Sequence, residues 1–226
     1  MRIERARRFR PARRIPATTG GSRAEPTVEL RPEPAGAVRD HAVAAAWGAA
    51  EATCFFIVPD VWLSRVALRS PRRAAAASVS ALVGAVVGGL ATRAWARRRP
   101  RAATFAAMRR LPAINAAMLD RVEGDVRRDG FRVVLRGPVR GVPYKLYARE
   151  AGLQGVGVAP FVGWSLPARL PRFVLVAGLG AGLARLGRRI LPAGVSDRIA
   201  PTVHTVVWIA FYAWYLSVVG REPRRA

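Results

Sequence analysis

The chain contains one cysteine, Cys54, one lysine, Lys145, and two histidines, His41 and His204. A lone cysteine excludes an intrachain disulfide and a cysteine-based metal site. Set among Phe55, Phe56 and Ile57, it reads as a small buried hydrophobe. The histidines lie far apart, without metal-ligand spacing, and no nucleophile–base pair stands out, so neither an enzyme nor a cofactor is expected. Acids are scarce as well, with 14 Asp+Glu against 38 Lys+Arg and a formal net charge of +24. No apolar run precedes residue 40, so no cleaved secretory signal is expected.

What is abundant narrows the class. The 226 residues are 51% hydrophobic, and the mean hydropathy is positive. That combination with extreme basicity leaves an integral membrane protein with basic loops, or a basic nucleic-acid binder. Uncharged runs decide between them. Ala74 to Thr92 holds nineteen residues without a charge, enough to cross a hydrocarbon core of about 30 Å at about 1.5 Å per residue. Ile199 to Gly220 is a second such run, with Trp208, Tyr212, Trp214 and Tyr215 placed to anchor near headgroups. A nucleic-acid binder has no need of these runs, so no nucleic-acid partner is expected.

Three regions follow. Residues 1–40, with ten arginines and no apolar periodicity, read as a disordered basic cytoplasmic tail, a transit peptide being the weaker alternative. Residues 41–220 form the membrane domain, and 221–226 a basic C-terminal tail. Basic density is highest in 1–40, in 93–128 and at the C-terminus, which places both termini in the cytoplasm of a multi-pass inner-membrane protein. In 93–128, Phe105, Met108, Leu111, Ile114, Met118 and Val122 fall at helical spacing opposite arginines, the pattern of a helix lying on anionic lipid. Gly84 and Gly88 make a GxxxG step, which either marks a close helix contact or reflects a composition rich in Gly and Ala.

Charge and proline intrude into apolar text at two places. One is FFIVPDVW, with Glu51 nine residues ahead of Asp60; the other is RGPVRGVPYKLY. Pro59, Pro138 and Pro143 mark their turns. Proline frees backbone hydrogen-bonding groups, which membrane depth tolerates only beside protein or a water-filled cavity. A re-entrant hairpin in each half meets that condition. The expected fold is therefore all-α, an inverted repeat of two re-entrant hairpins plus about three to four transmembrane helices. Arg136, Arg140 and Lys145 near the hairpin tips would attract a phosphate, while Glu51 and Asp60 would balance that charge or carry protons. The plainer alternatives are snorkelling for the three cations and helix capping for Asp60. Arg169 and Arg172 interrupt apolar text and would be costly if unpaired.

These residues resemble the DedA family, also called SNARE-associated Golgi or VTT-domain membrane proteins, over roughly residues 42–187. The resemblance rests on Glu51 followed by Phe55-Phe56-Ile57-Val58-Pro59-Asp60, then the small-residue helix Ala81–Leu90. It continues with Arg136, Pro138, Arg140 and Pro143-Tyr144-Lys145 leading into Ala151-Gly152, then Arg169-Leu170-Pro171-Arg172-Phe173. It implies facing re-entrant hairpins and movement of lipids across the bilayer. Bacterial members are associated with returning polyprenyl-phosphate carriers, with protons as the driving ion, and eukaryotic relatives scramble phospholipids. Carried over, Glu51 and Asp60 are the coupling acids, Arg136, Arg140 and Lys145 contact the headgroup, and Arg169 and Arg172 complete the pocket. The partners are then membrane lipids, a polyprenyl phosphate or another anionic headgroup, and a homo-oligomer is compatible. The competing class is a membrane assembly protein whose basic segments hold anionic lipid or a partner without transport.

Overall fold

The computed structural model describes residues 35–192 and 194–219. Residues 1–34 of the expected 1–40 tail and the C-terminal 221–226 lie outside them. Among the described residues all regular elements are helical: α1 (Ala35–Glu51), α2 (Asp60–Ala67), α3 (Pro71–Arg97), α4 (Arg101–Arg109), α5 (Ala116–Asp129), a 3-10 segment (Phe131–Arg136), α6 (Gly137–Arg140), α7 (Tyr144–Leu153), α8 (Val158–Ile190) and α9 (Val195–Val219). Three of these, α3, α8 and residues Val195–Val218 of α9, are long and apolar enough to cross a membrane. α1 begins at Ala35, so residues 35–40 belong to a helix. Asp40 holds them in place through its ion pair with Arg73 of α3.

Local chemistry explains the boundaries. Pro71 opens α3 where its missing N–H is no loss, and Ser70 caps the helix by accepting from the Arg73 backbone N–H. Asn115 caps α5 by accepting from the Met118 N–H at 2.9 Å. Pro59 immediately precedes α2, Pro138 lies in the first turn of α6 and Pro143 immediately precedes α7, so all three prolines sit at breaks between helices. α8 is continuous through Arg169, Pro171 and Arg172, with Pro167 and Pro171 inside it. The two arginines do not interrupt it because each meets a carboxylate, Arg169 at Glu51 and Arg172 at Asp60.

Helix α3 is the axis of the packing. A Cβ added to Gly84 would lie 1.9 Å from the Ala45 carbonyl oxygen, and one on Gly88 would lie 2.4 Å from that of Ala49. The GxxxG step is thus a contact face: only hydrogen at these positions lets α1 approach so closely. The matching order of the two contacts makes α1 parallel to α3. Farther along, a Cβ on Gly89 would strike the Tyr144 hydroxyl at 2.7 Å, and one on Gly152 the Arg93 carbonyl oxygen at 2.3 Å. α7 therefore also runs parallel to α3, starting where α1 ends. The two helices lie end to end along α3, and the breaks beside them meet near Gly88 and Gly89. α8 returns antiparallel, from Phe161 beside Gly89 to Gly180 beside Ser64 of α2.

Two apolar clusters fill this frame. Around α1, α2, α3 and α8 the cluster is rich in alanine, including Ala44, Ala74, Ala77, Ala81, Ala177 and Ala181, with Leu63, Leu82 and Phe173 as its large members. The other joins α5 and α7 through Met118, Leu119, Val122, Val126, Leu146 and Tyr147. This corrects the expectation of a lipid-lying helix over 93–128. Pro112 and Ala113 separate α4 from α5, and Met108, Ile114, Met118 and Val122 turn into the protein. Burying that stripe against α7 removes the same apolar area from water without lipid. Cys54 likewise departs from expectation and is exposed. α1 stops at Glu51, the Thr53 hydroxyl donates to the Ala49 and Ala50 carbonyls at 3.0 Å each, and Cys54 and Phe55 turn outward.

Candidate functional site

Where the two breaks meet, they enclose a cavity of about 420 Å³. Its wall takes Glu51, Phe56, Val58 and Asp60 from the first break, Pro138, Val142, Pro143, Tyr144 and Lys145 from the second, and Arg169 and Arg172 from α8. Seven of the ten residues singled out in the sequence thus line one space: Glu51, Asp60, Pro138, Pro143, Lys145, Arg169 and Arg172. Pro59 is not on the wall, although its neighbours Val58 and Asp60 are.

The charges are ordered. Arg169 pairs with Glu51, and both side chains are 4% exposed. Arg172 pairs with Asp60, which is 2% exposed while the guanidinium is 30% exposed. The Arg169 guanidinium also lies over the Tyr144 and Phe173 rings, 4.9 Å from each centroid. Lys145 Nζ donates to the Phe55 carbonyl oxygen at 2.6 Å, which ties the second break to the first. No carboxylate ion-pairs with Lys145 among the described residues. Three cations therefore face two carboxylates, and the excess positive charge resides on a buried ammonium. Asp60 Oδ1 and Arg169 Nε are buried without a hydrogen-bond partner. Asp60 and Lys145 lie outside the three long apolar helices. Burial pushes the Asp60 carboxyl above its ordinary range, against the pull of Arg172 and Arg169. Burial pushes the Lys145 ammonium below its ordinary value, against the pull of Glu51.

Arg136 and Arg140 are placed differently. Arg136 pairs with Asp129 at 3.0 Å and Arg140 with Asp125 at 3.2 Å, both acids on α5. Their neighbours Gly137, Pro138 and Gly141 line the cavity, whereas the two guanidinium groups do not. Both are about half exposed.

The wall that sequence reasoning missed is α9. Trp208, Phe211, Tyr212 and Tyr215 line the cavity. The Tyr212 hydroxyl accepts from the Val58 backbone N–H at 2.8 Å, satisfying a donor that the Pro59 break leaves free. Trp208 Nε1 donates to Ser64 Oγ at 3.1 Å, and Ser64 Oγ meets His204 Nε2 at 2.8 Å. Residues 204, 208, 212 and 215 recur at three- and four-residue steps, one face of a helix. That spacing was the available signal, and it separates the inward residues from Trp214, which is exposed. The loop residues Pro112, Ala113 and Ile114 add a further apolar edge.

The enclosure thus carries guanidinium and ammonium groups on a wall whose other members are largely aromatic and aliphatic. That is a fit for an anion attached to an apolar chain. No family model, curated protein or solved structure matches this chain.

Proposed function

We propose that the protein carries a lipid phosphate across the inner membrane, without covalent chemistry, through the cavity between its two broken segments. In this reading the breaks are re-entrant hairpins from opposite leaflets and the two halves are an inverted repeat, as in the DedA family that the residues resemble. The crossed packing supports it: α2 of the first half packs on α8 of the second, and α7 of the second on α3 of the first. Both termini are then cytoplasmic.

The observation that carries the reading is Lys145. A buried ammonium without an ion-pair partner, on the wall of a cavity that already holds two arginines, is costly unless an anion completes it. A phosphate accepts from Lys145 and from the exposed part of Arg172 together. The apolar wall of α9 accommodates the start of the acyl or prenyl chain. Asp60, whose burial favours its neutral form, releases Arg172 to the phosphate when it takes a proton, and reclaims it on losing that proton. Proton loading and headgroup binding are thereby coupled through one arginine.

The test uses the full chain in proteoliposomes holding a polyprenyl phosphate in both leaflets, with an added phosphatase that reaches only the outer one. Wild type makes the inner-leaflet phosphate accessible. Lys145→Gln and Arg172→Gln, inserted at equal density, do not. Equal access with both variants eliminates the mechanism.

A further inference from the structure

A second cavity, of about 360 Å³, lies between the start of α1, the end of α2 and the start of α3, and shares no lining residue with the first. Four arginines surround it: Arg39 from α1, Arg65 and Arg69 from α2 and its end, and Arg73 from α3. The single carboxylate on its wall is Asp40, already paired with Arg73. Arg65 Nη1 and Arg73 Nε are buried with no acceptor. A buried donor on a charged group left without its hydrogen bond is destabilising, so the unpaired donors of Arg65 and Arg73 have no structural rationale as they stand, while Arg39 and Arg69 are exposed beside them. The backbone adds to the positive potential, because the cavity includes Ser70 at the N-terminus of the 27-residue helix α3. Gly36 makes room as well: a Cβ there would lie 3.0 Å from Arg73 Nη2.

We propose that this cavity is a second anion site, which takes a phosphate group through Arg39, Arg65, Arg69 and Arg73. Planar guanidinium groups match phosphate oxygens in pairs, and a phosphate supplies the acceptors that Arg65 and Arg73 lack. The cavity sits at the first turn of α3, an apolar helix long enough to cross a membrane, where a lipid headgroup is within reach. Trp62, whose indole N–H donates to the Asp40 backbone carbonyl at 3.3 Å, gives it a wall with an apolar body and a polar edge. Phosphate is the shared chemistry of an anionic lipid headgroup and of free inorganic phosphate. The site holds its phosphate at one end of the helices and is independent of the transport reading.

The experiment is native mass spectrometry of the full chain, titrated with phosphatidylglycerol, with phosphatidylcholine as the control and inorganic phosphate as the competitor. Arg65→Gln with Arg69→Gln weakens retention of phosphatidylglycerol about tenfold or more, while the paired Lys replacements keep most of it. Gly36→Val, which displaces Arg73 without removing a charge, gives the same loss and serves if the double variant does not fold. Arg127→Gln, on the exposed side of α5 and outside both cavities, leaves this binding in place. Competition by millimolar inorganic phosphate assigns the site to free phosphate, and resistance to it assigns the lipid. Equal retention by wild type, Arg65→Gln/Arg69→Gln and Gly36→Val overturns the proposal, as does loss confined to Arg127→Gln.

Discussion

Replacing Glu51, Arg169 or both with methionine separates the energetic role of their ion pair from its functional one. Both side chains are 4% exposed, so either single replacement strands a charge out of water. Breaking a buried pair in this way costs roughly 3–5 kcal/mol. Arg169→Met should cost more than Glu51→Met, because it also removes the guanidinium from the Tyr144 and Phe173 rings, contacts of roughly 0.5–2 kcal/mol each. The double variant strands neither partner of this pair, and methionine fills much of the space of both chains. It should be less destabilised than either single variant, with a coupling of roughly 3 kcal/mol. Unfolding of the purified chain in mixed micelles, followed by tryptophan fluorescence, measures the cycle. The same three proteins in the phosphatase assay should all fail to move the lipid phosphate, so that the double variant is stable yet inactive. Additive single effects below about 1 kcal/mol, as for a solvated pair, would refute the burial argument. An active double variant would refute the role of the charges.

Two further outcomes follow from the packing. Gly84→Leu should abolish accumulation of the folded protein, since even its Cβ meets the Ala45 carbonyl at 1.9 Å, whereas Gly182→Leu, with nothing within 4 Å, should be tolerated; membrane-fraction yield and size-exclusion profile report both. Arg136→Gln and Arg140→Gln remove half-exposed guanidinium groups, and Asp125 keeps its pair with Arg128, so each should change stability by less than about 1 kcal/mol, read from the same unfolding transitions.

The parts of this architecture that depend on local text were legible. Uncharged length marks α3 and α9, and proline inside apolar text marks the two breaks, because both signals act on neighbouring residues. The partners across the cavity were not. Glu51 meets Arg169 at a separation of 118 residues, and no spacing rule announces that contact. The same distance hid the continuity of α8, since Arg169 and Arg172 read as interruptions until their carboxylates are seen. Arg136 and Arg140 illustrate the opposite case: their acids, Asp129 and Asp125, lie only 7 and 15 residues away and hold them on α5. The aromatic residues of α9 carried a readable period, but an aromatic stripe suits a headgroup layer and a cavity wall equally well. In 93–128 the apolar stripe was read as one helix on lipid, whereas the chain breaks it at residues 110–115 between α4 and α5 and turns it into the core, an outcome that only the fold reveals.

The account depends on the two breaks meeting around one space, and the Lys145–Phe55 contact offers the most direct measurement of it. Phe55→Cys and Lys145→Cys, combined in a Cys54→Ser background with a protease site inserted in the exposed link at 98–100, can be treated in native membranes with a short bifunctional thiol reagent. After cleavage, the two halves should remain joined as one band under denaturing conditions, and should separate when either new cysteine is omitted. Separation of the halves in the paired variant, with both thiols shown to be reactive, would contradict the meeting of the breaks and the cavity built on it.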